Sequence, residues 1–231
     1  MTVDLDSRPG TGDNLSNSYP ADLPSKASVG LFFCLLPMTV EPAVKRAIAY
    51  VDGQNLFNSA KDAFGYSFPN YDIKKLALSV CASRGWTLVR VRFYTGIPDL
   101  HLDPNRHNFW SKKLAALGRL PDVQVYSRPL AYQGTMGREK GIDVRLALDA
   151  LHDAHQNEFD IALIFSQDQD LSEVGTLIRQ VSALQNRWLK IASAYPSNPL
   201  AGYNRGINKT DWCPIDKATY DACIDPRDYR K

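Results

Sequence analysis

The sequence predicts an α/β fold built on a mainly parallel sheet. Short apolar segments alternate with longer segments whose apolar residues recur at helical spacing, giving five strands with helices between them. Two of the short segments, Arg46 to Val51 (RAIAYV) and Asp160 to Phe165 (DIALIF), are nearly continuous apolar runs, as expected of strands buried on both faces. Each return from one strand to the next carries a helix, the connection that parallel strands require.

Taken in order, Arg46 to Val51 is the first strand. Asp72 to Arg84 carries Ile73, Leu76, Ala77 and Val80 on one helical face, with Gly85 as a stop. Trp86 to Tyr94 (WTLVRVRFY) alternates as a strand, with Leu88, Arg90 and Arg92 on one side and Val89, Val91 and Phe93 on the other. Asn105 to Leu117 is helical through Phe109, Leu114 and Leu117, and Asp122 to Tyr126 (DVQVY) is the third strand. Ile142 to His155 is a helix through Val144, Leu146, Ala147, Leu148 and Leu151, and Asp160 to Phe165 is the fourth strand. Leu171 to Leu184 is the next helix, Trp188 to Ala192 (WLKIA) the fifth strand, and Lys217 to Cys223 a short final helix in a polar, turn-rich tail.

Residues 1–28 are rich in Asp, Ser, Pro, Gly and Asn and show no hydrophobic period, which predicts disorder. The apolar run from Val29 to Met38 has ten residues, too few for the roughly 20 that a membrane helix needs. It also lacks the basic start of a secretory signal. Regular patterning begins at Met38, which on one reading is the natural start. The expected division is a disordered extension over residues 1–40, a domain over residues 41–196, and a C-terminal extension over residues 197–231 packing on or beside it.

A hydrophobic fraction of 44% and a charged fraction of 23% exclude a fully disordered chain. With 27 basic and 25 acidic residues the net charge is only +2, so any nucleic-acid binding must come from a local patch. Cys34, Cys81, Cys213 and Cys223 lie far apart without a CxxC pair, which argues against a zinc cage or a disulfide scaffold and for reduced thiols in a cytoplasmic protein.

In an open α/β sheet, ligands bind beyond the carboxyl ends of the strands. Asp52 follows the first strand, and Asp168 and Asp170 follow the fourth; Asp143 opens the preceding helix. Each alone reads as a turn former, a helix cap or a partner of the helix dipole. Asp170, with Glu173 three residues on, has the spacing of a capping box. Together, if the first and fourth strands are neighbours, they place four carboxylates in one crevice. Such a cluster raises its own pKa values unless a cation neutralises it. Mg²⁺ or Mn²⁺ takes hard oxygen ligands, and bound there it would polarise a phosphoryl oxygen and activate water for in-line attack.

The residues around these acids carry a resemblance. Val51-Asp52-Gly53-Gln54-Asn55-Leu56 resembles the V-D-x-x-N opening of NYN-domain proteins in the PIN-like nuclease superfamily. Lys140-Gly141-Ile142-Asp143-Val144-Arg145-Leu146-Ala147-Leu148-Asp149 resembles their K-G-V-D-V-x-L-x-x-D, and Ser166-Gln167-Asp168-Gln169-Asp170-Leu171 their S-G-D-x-D-F. The similarity runs from about Ala47 to Ala192, and the branch is similar to the bacterial LabA-like group. The resemblance implies a three-layer α/β/α sandwich with a five-stranded sheet in the order 3-2-1-4-5. It implies a metal-dependent ribonuclease site, with Asp52, Asp143, Asp168 and Asp170 as catalytic and metal-binding residues, Asn55 orienting water or phosphate, and Ser166 bonding a carboxylate or substrate. Gln167 and Leu171 depart from the family's Gly and aromatic, and Gln167 is expected to narrow the crevice or touch substrate.

The segment from Tyr126 to Lys140 (YSRPLAYQGTMGREK) supplies Arg128, Arg138 and Lys140 for phosphates and Tyr132 for a base. Its two glycines, Gly134 and Gly137, predict a mobile loop that closes over single-stranded RNA. No membrane partner is expected, and a homo-oligomer or a protein partner is compatible with the sequence. Two rivals stand beside the ribonuclease. One is a non-catalytic nucleic-acid or protein-binding module on the same fold. The other is a phosphatase of the haloacid dehalogenase type, which the D-x-D of Asp168 and Asp170 resembles.

Overall fold

The computed structural model describes residues 39–134, 136–200 and 204–230. The expectations for residues 1–38, the apolar run, Cys34 and the start at Met38 lie outside these residues.

The elements run β1 (Arg46–Asp52), α1 (Gly53–Phe64), α2 (Ile73–Ser83), β2 (Thr87–Ile97), α3 (Pro104–Leu117), β3 (Val123–Pro129), β4 (Ala131–Gln133), β5 (Met136–Arg138), α4 (Ile142–His155), β6 (Ile161–Phe165), α5 (Ser172–Leu184), β7 (Lys190–Pro196), β8 (Asp211–Ile215) and α6 (Lys217–Ala222). The main sheet has six strands in the order β3-β2-β1-β6-β7-β8, and every neighbouring pair is parallel. The five expected strands take the expected 3-2-1-4-5 order. The sheet is nonetheless six-stranded rather than five-stranded, because β8 from the C-terminal stretch adds to its edge beside β7. The alternation in Asp211–Ile215 buries only Cys213 and Ile215, a signal too short to stand out among turn residues.

The two faces of β1 feed two cores. Ala47, Ala49 and Val51 face a cluster with Leu56, Ile73, Leu76, Phe109 and Tyr220 from α1, α2, α3 and α6. Ile48 and Tyr50 face Leu146, Ala150, Val174 and Ile178 from α4 and α5. Helices therefore cover both sides, and the molecule has three layers. Side-chain volume is shared across the central pair: Ala47 stands beside Ile161, Ile48 beside Ala162 and Ala49 beside Leu163. Large and small residues alternate on each face, which fills the layers without voids.

Helix starts use one device repeatedly. Asp52, Asp72, Asp103 and Asp216 each accept the backbone N–H three residues on, capping α1, α2, α3 and α6. Helix α1 has no counterpart among the expected helices. Its buried face, Gly53, Leu56, Ala60 and Ala63, has only one large apolar residue, so a reading keyed to large apolar residues passes over a helix that is strongly amphipathic.

The segment from Tyr126 to Lys140 is largely strand-paired rather than an irregular loop. Arg128 belongs to β3, level with Gly96 of β2. β4 and β5 pair as an antiparallel hairpin, with Tyr132 opposite Gly137, and the Tyr132 hydroxyl accepts the Asp99 N–H at 2.9 Å. Three-residue strands between glycines carry too little periodicity to be read as strands.

The arginines of β2 pair with acids. Arg90 meets Glu158, and the buried Asp153 receives both Arg92 at 2.6 Å and the Tyr50 hydroxyl at 2.7 Å. Burial, then Asp153, pushes the Tyr50 phenol well above its ordinary value, so it remains a donor. Removing the carboxylate takes from Arg92 its shorter ion pair, leaving Asp149 at 3.7 Å, and from Tyr50 its acceptor. Asp153→Ala is expected to lose about 3–5 kcal/mol in equilibrium urea unfolding, whereas Arg90→Ala, on the exposed pair, loses less than about 1 kcal/mol.

Candidate acidic site

The site begins where the winding of the sheet reverses. From β1 the chain proceeds to β2 on one side, and β6 occupies the other, so the carboxyl ends of β1 and β6 flank the switch point. The register pairs Val51 with Phe165, which sets Asp52 level with Ser166.

Asp52 is the last residue of β1 and the cap of α1. Its Oδ1 accepts the Asn55 N–H at 2.9 Å, and the residue is 8% exposed. The turn after it must be glycine, because a Cβ at Gly53 would lie 2.6 Å from the Phe93 ring and 3.0 Å from the Tyr94 carbonyl oxygen. Asn55 reaches across the switch point: its Oδ1 accepts the Gln167 N–H at 2.9 Å. It therefore binds the end of β1 to the turn after β6, and its side-chain oxygen also receives Ser59 at 3.4 Å.

That turn is self-bonded. The buried Ser166 hydroxyl accepts the Asp168 N–H at 3.1 Å, and Asp168 Oδ1 accepts the Asp170 N–H at 3.0 Å. Asp168, not Asp170, is thus the capping residue, and it opens a short 3-10 turn at Gln169–Leu171 ahead of α5. Ser166 holds the backbone of Asp168 rather than a carboxylate. The Gln167 amide donates to the Arg205 carbonyl at 2.8 Å, away from the crevice. Gln169 donates to the Gly206 carbonyl at 3.1 Å and accepts the Asn208 N–H at 3.0 Å. The two glutamines thereby tie the C-terminal segment to the acidic turn.

A fifth carboxylate joins the cluster. Glu139 follows β5, is half-buried, and accepts the Gly96 N–H and, at 3.5 Å, the Thr95 hydroxyl. Gly96 allows this approach, since a Cβ there would sit 2.8 Å from Glu139 Cγ. Sequence reasoning passed over Glu139 because it lies in a charged run, Arg138-Glu139-Lys140, while its partners lie 43 and 44 residues earlier on β2.

Asp52, Gln54, Asn55, Asn58, Gly137, Arg138 and Glu139 line a cleft of about 260 Å³. Burial raises Asp52 to about 6; backbone N–H bonds oppose this, and Asp168 and Asp143 add to it. Burial likewise raises Glu139 to about 7, with contributions from Asp52 and Asp143. The leading charged groups that act on both are other carboxylates. Asp143, exposed in the first turn of α4, is thus part of the field. Asp170 is exposed and is not among the leading groups that act on either. Arg138 reaches the cleft, whereas Arg128 and Lys140 are exposed and do not line it. Among the described residues no group of three or more His, Cys, Asp or Glu side chains is arranged to hold a metal ion.

The raised value fixes a sign. Between the ordinary carboxylate range, near 3.8, and about 6, folded Asp52 holds a proton that the unfolded chain has lost, so stability falls as pH rises through that window. Asp52→Asn keeps the capping oxygen and removes the charge. Without added metal, the variant is expected to be more stable than the parent by about 2 kcal/mol above about pH 7, and no more stable below about pH 4. Urea unfolding at both pH values checks this; equal stability at both would contradict a buried, repelled carboxylate.

The arrangement has relatives. No curated protein matches the chain. Among solved structures, a protein of unknown function from Vibrio parahaemolyticus is similar at a TM-score of 0.52 and 18% identity, covering 78% of this chain and 98% of that one. At that identity the likeness concerns the fold. No helix among the described residues is long and apolar enough to cross a membrane. The NYN domain family model matches residues 46–193, from the start of β1 into β7 and across all the acidic motifs, and the chain belongs to the NYN domain family.

Proposed function

We propose that this chain is a metal-dependent ribonuclease that hydrolyses phosphodiester bonds in single-stranded RNA at the acidic cleft. The observation that carries the reading is the gathering of Asp52, Asp143, Asp168 and Glu139 at one switch point, with burial and mutual repulsion holding Asp52 and Glu139 above their ordinary values. Family membership supports a PIN-like nuclease, and such nucleases use divalent metals.

The donor set suits Mg²⁺ or Mn²⁺: hard oxygens whose repulsion a divalent cation relieves. Asp52, Asp143 and Asp168 are the residues that would hold it, with Glu139 in reach. Asp143 is exposed; Asp168 is half-buried and its Oδ1 already accepts the Asp170 N–H, so its other carboxylate oxygen is the one left to face a cation. A bound cation supplies charge neutralisation and polarisation at the phosphoryl group. The chain's own residues do the rest. Asn55 sets the distance between the β1 and β6 ends and therefore between Asp52 and Asp168. Arg138 at the cleft wall takes a phosphate oxygen. A protonated Glu139, half ionised near neutral pH, is placed to hand a proton to a departing oxygen.

The absence of a ready-made metal group among the described residues favours one alternative, a binding module without chemistry. Cleavage of labelled single-stranded RNA with Mg²⁺, Mn²⁺ or EDTA separates the two. The parent is expected to cut only with metal, and Asp168→Asn to lose about 100-fold or more. Metal binding without cutting across several RNAs would establish the binding module instead. Arg138→Ala with Lys140→Ala should weaken RNA binding and lower its salt slope by roughly 1.4, at about 0.7 for each phosphate no longer neutralised. Unchanged binding would remove these two residues from the substrate path.

A further inference from the structure

A recess larger than the acidic cleft lies beside it among the described residues. It is a groove of about 790 Å³ between α1, the segment 67–69, α3 and the C-terminal end. Its apolar wall is aromatic: Phe57, Phe68, Phe109, Trp110 and Tyr229. Its rim is cationic: Lys61, Arg106, Lys112 and Arg230. No acidic residue lines it, although the chain carries 25 acids against 27 bases. Two of the four cations pair with acids just outside the lining, Arg106 with Asp103 at 3.9 Å and Arg230 with Asp228 at 2.9 Å.

The groove adjoins the acidic cleft. Gln54 and Asn58 of α1 line the cleft, while Phe57 and Lys61 line the groove. At 100° per residue these four positions fall within about 100° of one helix face, so a single ridge of α1 borders both recesses. From Gln54 to Lys61 the helix rises only about 10 Å.

The lining also offers a planar stack. The Arg230 guanidinium lies 3.9 Å from the centroid of the half-buried Phe68 ring and is held by Asp228 at 2.9 Å. Phe109, Trp110 and Tyr229 are less than one-tenth exposed and form the wall behind. Their packing gives a rigid apolar surface with ring faces and a guanidinium plane at its edge. Unpaired bases stack on aromatic rings and on Arg planes, and their phosphates need cations alongside.

We propose that this groove seats unpaired nucleotides of the strand whose scissile phosphate lies in the acidic cleft, with bases against Phe68 and Arg230 and phosphates along Arg106 and Lys112. The proposal rests on the nuclease reading for its direction along α1. A lipid surface fits less well, because the aromatic wall is recessed. An acidic protein segment shares the charge but not the need for stacking planes.

The test is binding of a short fluorescein-labelled single-stranded RNA to the full chain in EDTA, read by anisotropy across a salt series. Arg106→Glu with Lys112→Glu is expected to weaken binding about tenfold or more and to lower the salt slope by roughly 1.4. Phe68→Ala is expected to cost about tenfold with the slope unchanged, and Phe68→Tyr to restore binding. Arg90→Glu, on β2, serves as a single charge-reversal control beside Arg106→Glu alone and should bind as the parent does. Parent-like binding by the groove variants overturns the proposal, as does displacement of the RNA by polyglutamate at equal charge, which would indicate an acidic protein partner. Parent protein that binds no single-stranded RNA also overturns it. If the groove variants bind normally while the parent cuts RNA, the groove assignment fails alone. If they lose binding while the parent cuts nothing in metal, the nuclease reading fails alone.

Discussion

The pairing of β1 with β6 holds the acidic cluster in place. Five consecutive residues on each strand are in parallel register, nearly all fully buried, with volumes traded across the pair. A slip of one residue would turn Tyr50 and Ile48 into the α1–α3 core and move Asp52 off the level of Ser166. The chemistry-bearing turns after both strands therefore inherit their spacing from apolar packing. The Asn55 bond to Gln167 then ties these turns side chain to backbone, beyond the last paired residues of the two strands.

On this frame the carboxylates are set against their own comfort. Asp52 caps a helix, which favours a charged oxygen, and is buried beside other acids, which disfavours it; burial wins. Glu139 faces the same opposition between the Gly96 N–H and desolvation. Strain of this sort is expected where local rules yield to a site, and elsewhere buried charge is paired, as where Asp153 receives Arg92 and Tyr50.

What could be read in the chain followed from range. The central strands and four of the helices announce themselves through local period, and Asp52, Asp143 and Asp168 through short motifs at strand ends. Glu139 could not be read, because it is defined by β2 residues more than 40 positions away. The β4–β5 hairpin and β8 are too short to carry a period, and β8 is a strand only because β7 offers an edge. The roles of Ser166 and Gln167 were legible as positions but not as bonding partners: hydroxyl and carboxamide turned to the backbone once the 204–208 segment came alongside.

The glutamine clasp has a consequence for motion. Gln167 and Gln169 hold the carbonyls of Arg205 and Gly206, and Ser193 and Trp212 anchor Ile207 from β7 and β8. The turn that presents Asp168 and the strand that closes the edge of the sheet thus share one set of bonds. Neither can open without loosening the other, so they form a single cooperative unit whose opening free energy is common to both. The precision of the acidic turn is therefore underwritten from outside the motifs that define it, by a strand at the far edge of the sheet.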